Sequence, residues 1–180
     1  MLKNKLIALA VLFLLAGCGP IIGAGMVAGG GVKSFTVSEG QLSDLVPGSK
    51  LLVVGPFAKT ESAYYICRGE EAANFTSAFN SVGLFQADFH MAERFGDPQE
   101  MAAKLKQMTP EQLQKDFGLK VRPEILLTGV ILSRSTVAAP AQGVLMDVSY
   151  RLEFYNLRDK KQTSIEVRAK DKFQACVEDV

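Results

Sequence analysis

The stretch Val144-Leu-Met-Asp-Val-Ser-Tyr-Arg-Leu-Glu-Phe-Tyr155 decides the fold class. Val144, Met146, Val148, Tyr150, Leu152 and Phe154 alternate with Leu145, Asp147, Ser149, Arg151, Glu153 and Tyr155. A strand's two-residue period sends the first set into a core and the second to a wetter face. Upstream, residues 125–132 (Ile-Leu-Leu-Thr-Gly-Val-Ile-Leu) read as a central strand, and small residues over 135–143 read as a loop. Downstream, the turn Arg158-Asp-Lys-Lys161 leads to a last strand. There Ile165, Val167, Ala169 and Phe173 face one way and Glu166, Arg168, Lys170 and Lys172 the other. Basic side chains of this kind suit an edge strand that must resist pairing with other chains.

Toward the N terminus, strands alternate with helices. Residues 51–57, Leu-Leu-Val-Val-Gly-Pro-Phe, form an apolar run that suits a strand buried on both faces. Phe75, Phe79 and Val82 then recur at helical spacing over 70–82, closed by Gly83. Phe85, Ala87 and Phe89 alternate with Gln86 and Asp88, a second strand. Asp97-Pro-Gln-Glu100 carries an N-cap, a first-turn proline and an acid at the third position, and Met101, Leu105 and Met108 follow as an apolar stripe. Thr109-Pro-Glu-Gln112 repeats the start signal before Leu113 and Phe117, and Gly118 suits the far end. The predicted order is β-α-β-α-β-β-β. It implies an α+β domain over 49–180, a mixed sheet with helices packed on one face.

Composition narrows the chemistry. The chain has 180 residues, 48% hydrophobic and 22% charged, which suits one globular domain. A net charge of +1 offers no basic footprint for nucleic acid. One histidine and three cysteines exclude a zinc ribbon or a multi-histidine metal centre. Lys59-Thr60 follows a strand, but Ala58 and Val53 stand where a phosphate loop needs glycine. No Gly-x-Ser-x-Gly elbow occurs, His90 lies in no catalytic motif, and helix capping accounts for Asp97 and Glu100. No catalytic, cofactor-binding or metal-ligating residue is therefore assigned, no cofactor is expected, and the chain reads as a non-enzyme.

The first eighteen residues carry the sharpest motif. Lys3 and Lys5 precede an uncharged apolar run over 6–15, about half a membrane span, and then Leu15-Ala-Gly-Cys18. This pattern resembles the signal peptide and lipobox of bacterial lipoproteins. An uncleaved anchor is the alternative, since no charge occurs between Lys5 and Lys33, but Gly19-Pro20 and the glycines up to Gly31 suit a tether better. The resemblance implies removal of residues 1–17, acylation of Cys18 (palmitate among the chains) and a lipid-anchored glycine-rich tether over 18–48. Gly19 stands where an Asp would hold such a protein at the inner membrane, so the resemblance points to the periplasmic face of the outer membrane. Cleavage removes Lys3 and Lys5 and no acid, leaving no basic excess for anionic lipid. In that oxidising compartment Cys67 and Cys176 are the two remaining thiols. One disulfide is favoured there, and two unpaired cysteines are the alternative.

The folded part resembles small envelope lipoproteins with an anticodon-binding-domain-like αβ fold. Among them are the curli and Pel exopolysaccharide export lipoproteins, the lipoprotein activators of penicillin-binding proteins and the amino-terminal domain of the Tol propeller protein. The resemblance rests on Val54-Gly-Pro-Phe57, the helix running into Gly83-Leu-Phe85, Thr109-Pro-Glu-Gln-Leu113, and the strand from Ile125 to Ile131. It departs at Asp159-Lys-Lys-Gln-Thr163, which replaces an Asp-x-x-Thr-Gly turn, and in lacking a long pore-forming loop. The resemblance implies an adaptor or assembly factor with no catalytic residues to transfer. The expected function is an accessory role in an export or envelope machine through protein contacts, with a homo-oligomer also compatible. The expected contact surface is the 135–143 loop with Val137, the outer face of the long strand with Leu145 and Tyr155, and a sheet edge open to strand addition. A second reading, binding of a small molecule or lipid, calls for an apolar cavity above about 300 Å³. A third, an enzyme, calls for a cleft that holds His90 against a Ser or an Asp.

Overall fold

β2 (Lys50–Gly55) is apolar at every position after its lysine, and both of its faces are buried. Such a strand has to lie inside a sheet covered on both sides. In the computed structural model, which describes residues 32–63, 71–91, 97–139 and 143–172, it does so. It lies parallel to β4 (Gln86–Met91) on one side and to β5 (Ile125–Ala139) on the other. From β5 the sheet continues antiparallel through β6 (Gly143–Asn156), β7 (Gln162–Lys172) and β1 (Val32–Glu39). A two-residue strand, β3 (Ala58–Lys59), also pairs with β5, so the mixed sheet has seven strands.

Two cores lie on opposite faces of this sheet. On the first face Leu51, Val53 and Leu127 pack with Ala72 and with Phe75 and Phe79 of helix α1 (Glu71–Ser81). Gly55 permits this approach, because a Cβ there would lie 2.8 Å from the Cβ of Ala72. Phe75 stacks on Phe57 at 5.4 Å between centroids, and Phe79 meets Phe85 edge-on at 5.3 Å. On the second face Leu52, Val54 and Leu126 pack with Leu105 of α2 (Pro98–Gln107) and Leu113 of α3 (Pro110–Phe117). The helix starts are those the sequence predicts. Asp97 accepts a hydrogen bond from the Gln99 N–H, and Thr109 and Gln112 form a reciprocal capping box. Gly118 closes α3 with φ of 63°, in the left-handed region.

The α+β class, the mixed sheet and the element order agree with expectation, and four details do not. Helices cover both faces rather than one, because β2 and β5 present apolar side chains alternately to each side. Within the segment expected as tether over 18–48, Val32–Glu39 is a strand paired with β7. β7 is therefore not an edge strand. Its basic side chains answer charges on β6 instead: Arg168 donates to Asp147 at 2.9 and 2.6 Å, and Lys170 lies 3.4 Å from the same carboxylate. Finally, residues 135–139 are strand rather than loop, because Ser135, Thr136 and Val137 pair in register with Asp147, Met146 and Leu145.

Candidate interaction surface

The first face is unevenly covered. α1 lies over its β2 end, where Phe75 packs edge-on against Tyr150 at 5.6 Å and Phe79 against Phe154 at 6.3 Å. Toward β1 the sheet carries apolar rows with less above them. Phe35 stands opposite Val167, which stands opposite Tyr150, and Val37, Ile165 and Leu152 form the next row. The short turn of helix Leu42–Asp44 and the chain after α1 wall off a groove of about 380 Å³ here. Phe35, Leu42, Leu84, Phe79, Phe154 and Val167 line it, and Lys33 is the one charged residue that does. Phe35 is 61% exposed, Leu42 45% and Leu84 40%, an unusual display for large apolar side chains gathered at one groove. A larger crevice of about 610 Å³ lies elsewhere, at the start of β2 and β5, with Asp44, Lys50, Glu111 and Glu124 among the residues that line it. Its Arg122 is already bound to Glu111 at 2.8 Å, and its Arg158 faces Glu124 at 4.0 Å.

The two sheet edges are treated differently. At β4, Asn80 of α1 turns its side-chain amide onto Ala87. It donates to the Ala87 carbonyl and accepts from the Ala87 N–H, each at 2.9 Å. The amide thus stands in for the next strand's peptide group. The Phe89 N–H is taken by Asp88 Oδ1 at 3.0 Å, and the His90 ring stacks on Phe117 of α3 at 3.9 Å. Partial burial holds the His90 pKa below the ordinary imidazole value. At β1 the side-chain hydrogen bonds run inward. Ser38 donates to the Ser164 carbonyl, and Glu39 accepts from Gln162 and Ser164, all on β7. Among the described residues no strand pairs with the outer side of β1.

The surface expected from sequence is dispersed. Leu145 is 3% exposed and so is not an open contact residue. Val137 is half-buried and lies opposite it in register. Tyr155 sits at the other end of β6, half-buried against the α2–α3 core, with Lys106 and Lys160 nitrogens 5.5 and 5.9 Å from its ring. Between them Asp147 is held below the usual carboxylate pKa, first by its hydrogen bonds from Arg168. The groove and the open β1 edge escape a reading that takes 32–39 as tether. Their signal was present in the alternation of Phe35 and Val37 with Ser34, Thr36 and Ser38. Cys18, Cys67, Cys176 and the tip of the β5–β6 hairpin lie outside the described residues. Among the described residues no group of three His, Cys, Asp or Glu is placed to hold a metal, and no helix is long and apolar enough to cross a membrane.

The sequence matches no protein-family model and no curated protein. Solved structures similar to it include the PelC dodecamer from Paraburkholderia phytofirmans, at 14% identity and a TM-score of 0.45 over 77% of this chain and 81% of that one. Lipoprotein GNA1162 from Neisseria meningitidis matches at 14% identity and a TM-score of 0.36, over 68% of this chain and 83% of that one. The LpoB C-terminal domain from Escherichia coli matches at 11% and 0.33, over 84% and 95%. Identities of this order leave no residue correspondence from which a role could be transferred.

Proposed function

We propose that the chain is a non-enzymatic accessory lipoprotein. Cys18 anchors it at the periplasmic face of the outer membrane, and it binds a protein partner of an export or envelope-assembly machine by strand addition along β1. The observation that carries the contact is the asymmetry of the two sheet edges. Asn80 and Asp88 occupy the Ala87 carbonyl and N–H and the Phe89 N–H of β4, whereas among the described residues β1 ends the sheet with its side-chain hydrogen bonds directed inward. An added strand gains affinity from main-chain hydrogen bonds and specificity from alternate side chains. The residues before β1 supply the anchoring half of the reading through the lipobox at 15–18.

A photo-crosslinking residue placed at Thr36 on β1, or at Gln86 on β4 as the control, tests the contact in intact cells. A discrete product from Thr36 and none from Gln86 is the expected result. A product from Gln86 alone, or from neither position, would contradict it. Thr36→Lys sets a lysine opposite Glu166, so the fold tolerates it while the edge gains a charge that discourages pairing. That variant is expected to lose the partner and keep its stability.

The groove supports a second reading, an apolar ligand or lipid carried by the protein. At about 380 Å³ it exceeds the size such a ligand calls for. Purified protein extracted for lipid would then yield a stoichiometric apolar molecule.

A further inference from the structure

We infer that the groove beside β1 is a membrane seat, which rests on the bilayer that anchors the chain and takes lipid acyl chains against its apolar wall. The inference rests on the lipid anchoring at Cys18 and adds a second contact that fixes how the domain stands on the membrane. Three observations carry it. The first is chemical: the groove gathers Phe35, Leu42 and Leu84, each 40% or more exposed, and Lys33 alone among charged residues. The second is placement. Val32 is where the chain coming from the anchor enters the fold, and Lys33, Ser34 and Phe35 immediately after it form one wall. Residues 19–31, however they are arranged, span at most about 45 Å. The groove wall is thus the part of the described domain that follows the anchored segment directly in sequence. The third is charge. The exposed Lys33 can lay its methylene stem on the apolar wall and keep its ammonium among lipid phosphates.

The seat and the partner edge do not compete. A strand added to β1 lies beside it in the plane of the sheet, whereas the groove opens from the first face. The contact supplies orientation, because acyl chains on a tether hold a domain near a membrane without choosing which side faces it.

The absence of tryptophan from the chain makes a direct test available. Leu84→Trp puts a single fluorophore at the groove, and Val121→Trp puts one at an exposed apolar site outside it. The mature lipidated protein is reconstituted into phosphatidylethanolamine–phosphatidylglycerol vesicles with and without brominated acyl chains, and flotation checks anchorage. The expected result is a blue-shifted emission from Leu84→Trp that bromolipid quenches about twofold or more, with Val121→Trp unaffected. Adding Phe35→Asp should relieve the quenching while the protein still floats. Flotation with an unquenched Leu84→Trp probe would overturn the seat and leave the anchor standing. Failure to float would overturn the anchor and the seat together. Quenching that persists after the protein is stripped from the vesicles would mean a single carried lipid, and a blue shift without quenching that grows with surface density would mean a second copy. Either would overturn the bilayer seat.

Discussion

Glu71 has its carboxylate fully buried at the first turn of α1, with neither oxygen in a hydrogen bond among the described residues. Lys59 on β3 answers it at 3.4 Å, and the positive end of the helix adds to the compensation. Removing the cation leaves a buried charge without its pair, so Lys59→Met should lower the unfolding free energy by about 3 kcal/mol in urea titration. The double variant Lys59→Met with Glu71→Leu should recover most of the loss, because an apolar pair avoids both desolvation costs. Asp147 behaves differently, since its main partner Arg168 is largely exposed. Asp147→Asn should cost about 1 kcal/mol at neutral pH, because solvent screens the exposed guanidinium. The folded-state pKa of Asp147 lies below its ordinary value, so the contribution is complete above about pH 4 and disappears as the pH falls through the folded value. The stability gap between wild type and variant should close over that acid window. At this scale the local sequence is most readable where the partners are neighbours. The Asp97 cap and the Thr109–Gln112 box were legible for that reason. The Lys59–Glu71 pair joins two elements, and nothing near either residue announces it.

At the scale of elements, periodicity identifies a strand well and its neighbours poorly. The alternation in β6 was clear because one face is core and the other mostly polar. The hydroxyl-rich β1 reads as spacer because it follows a run of glycines and its most apolar residue, Phe35, is exposed. Without β1, β7 becomes the edge strand and its basic residues read as edge protection, whereas in the sheet Arg168 and Lys170 pair with Asp147. The run in β2 already implied cover on both faces. The two helical layers follow from it once the residues of β2 are assigned alternately to the two cores. Within the first layer the Phe57 ring lies over Gly129 of β5, in the space where a Cβ would stand. Gly129→Val should therefore displace the ring and destabilise by about 1–3 kcal/mol, read as a lower denaturation midpoint. Asn80→Ala uncovers the backbone of Ala87 on β4. It should cost only about 1 kcal/mol and increase light scattering on storage, because the edge becomes a template for other chains.

At the scale of the whole molecule, the proposed anchor, partner edge and membrane seat meet around one strand. Residue Val32 begins β1, no strand among the described residues pairs with the outer edge of β1, and the apolar groove lies on one face beside it. Under this account the domain is held, oriented and engaged through a single margin of its sheet, while the capped β4 margin stays inert. The arrangement has meaning only if Cys18 carries lipid. Growing cells with labelled palmitate and comparing wild type with Cys18→Ser tests that most directly. The account predicts label in the wild-type protein and none in the variant. Equal label in both, or none in either, would contradict it.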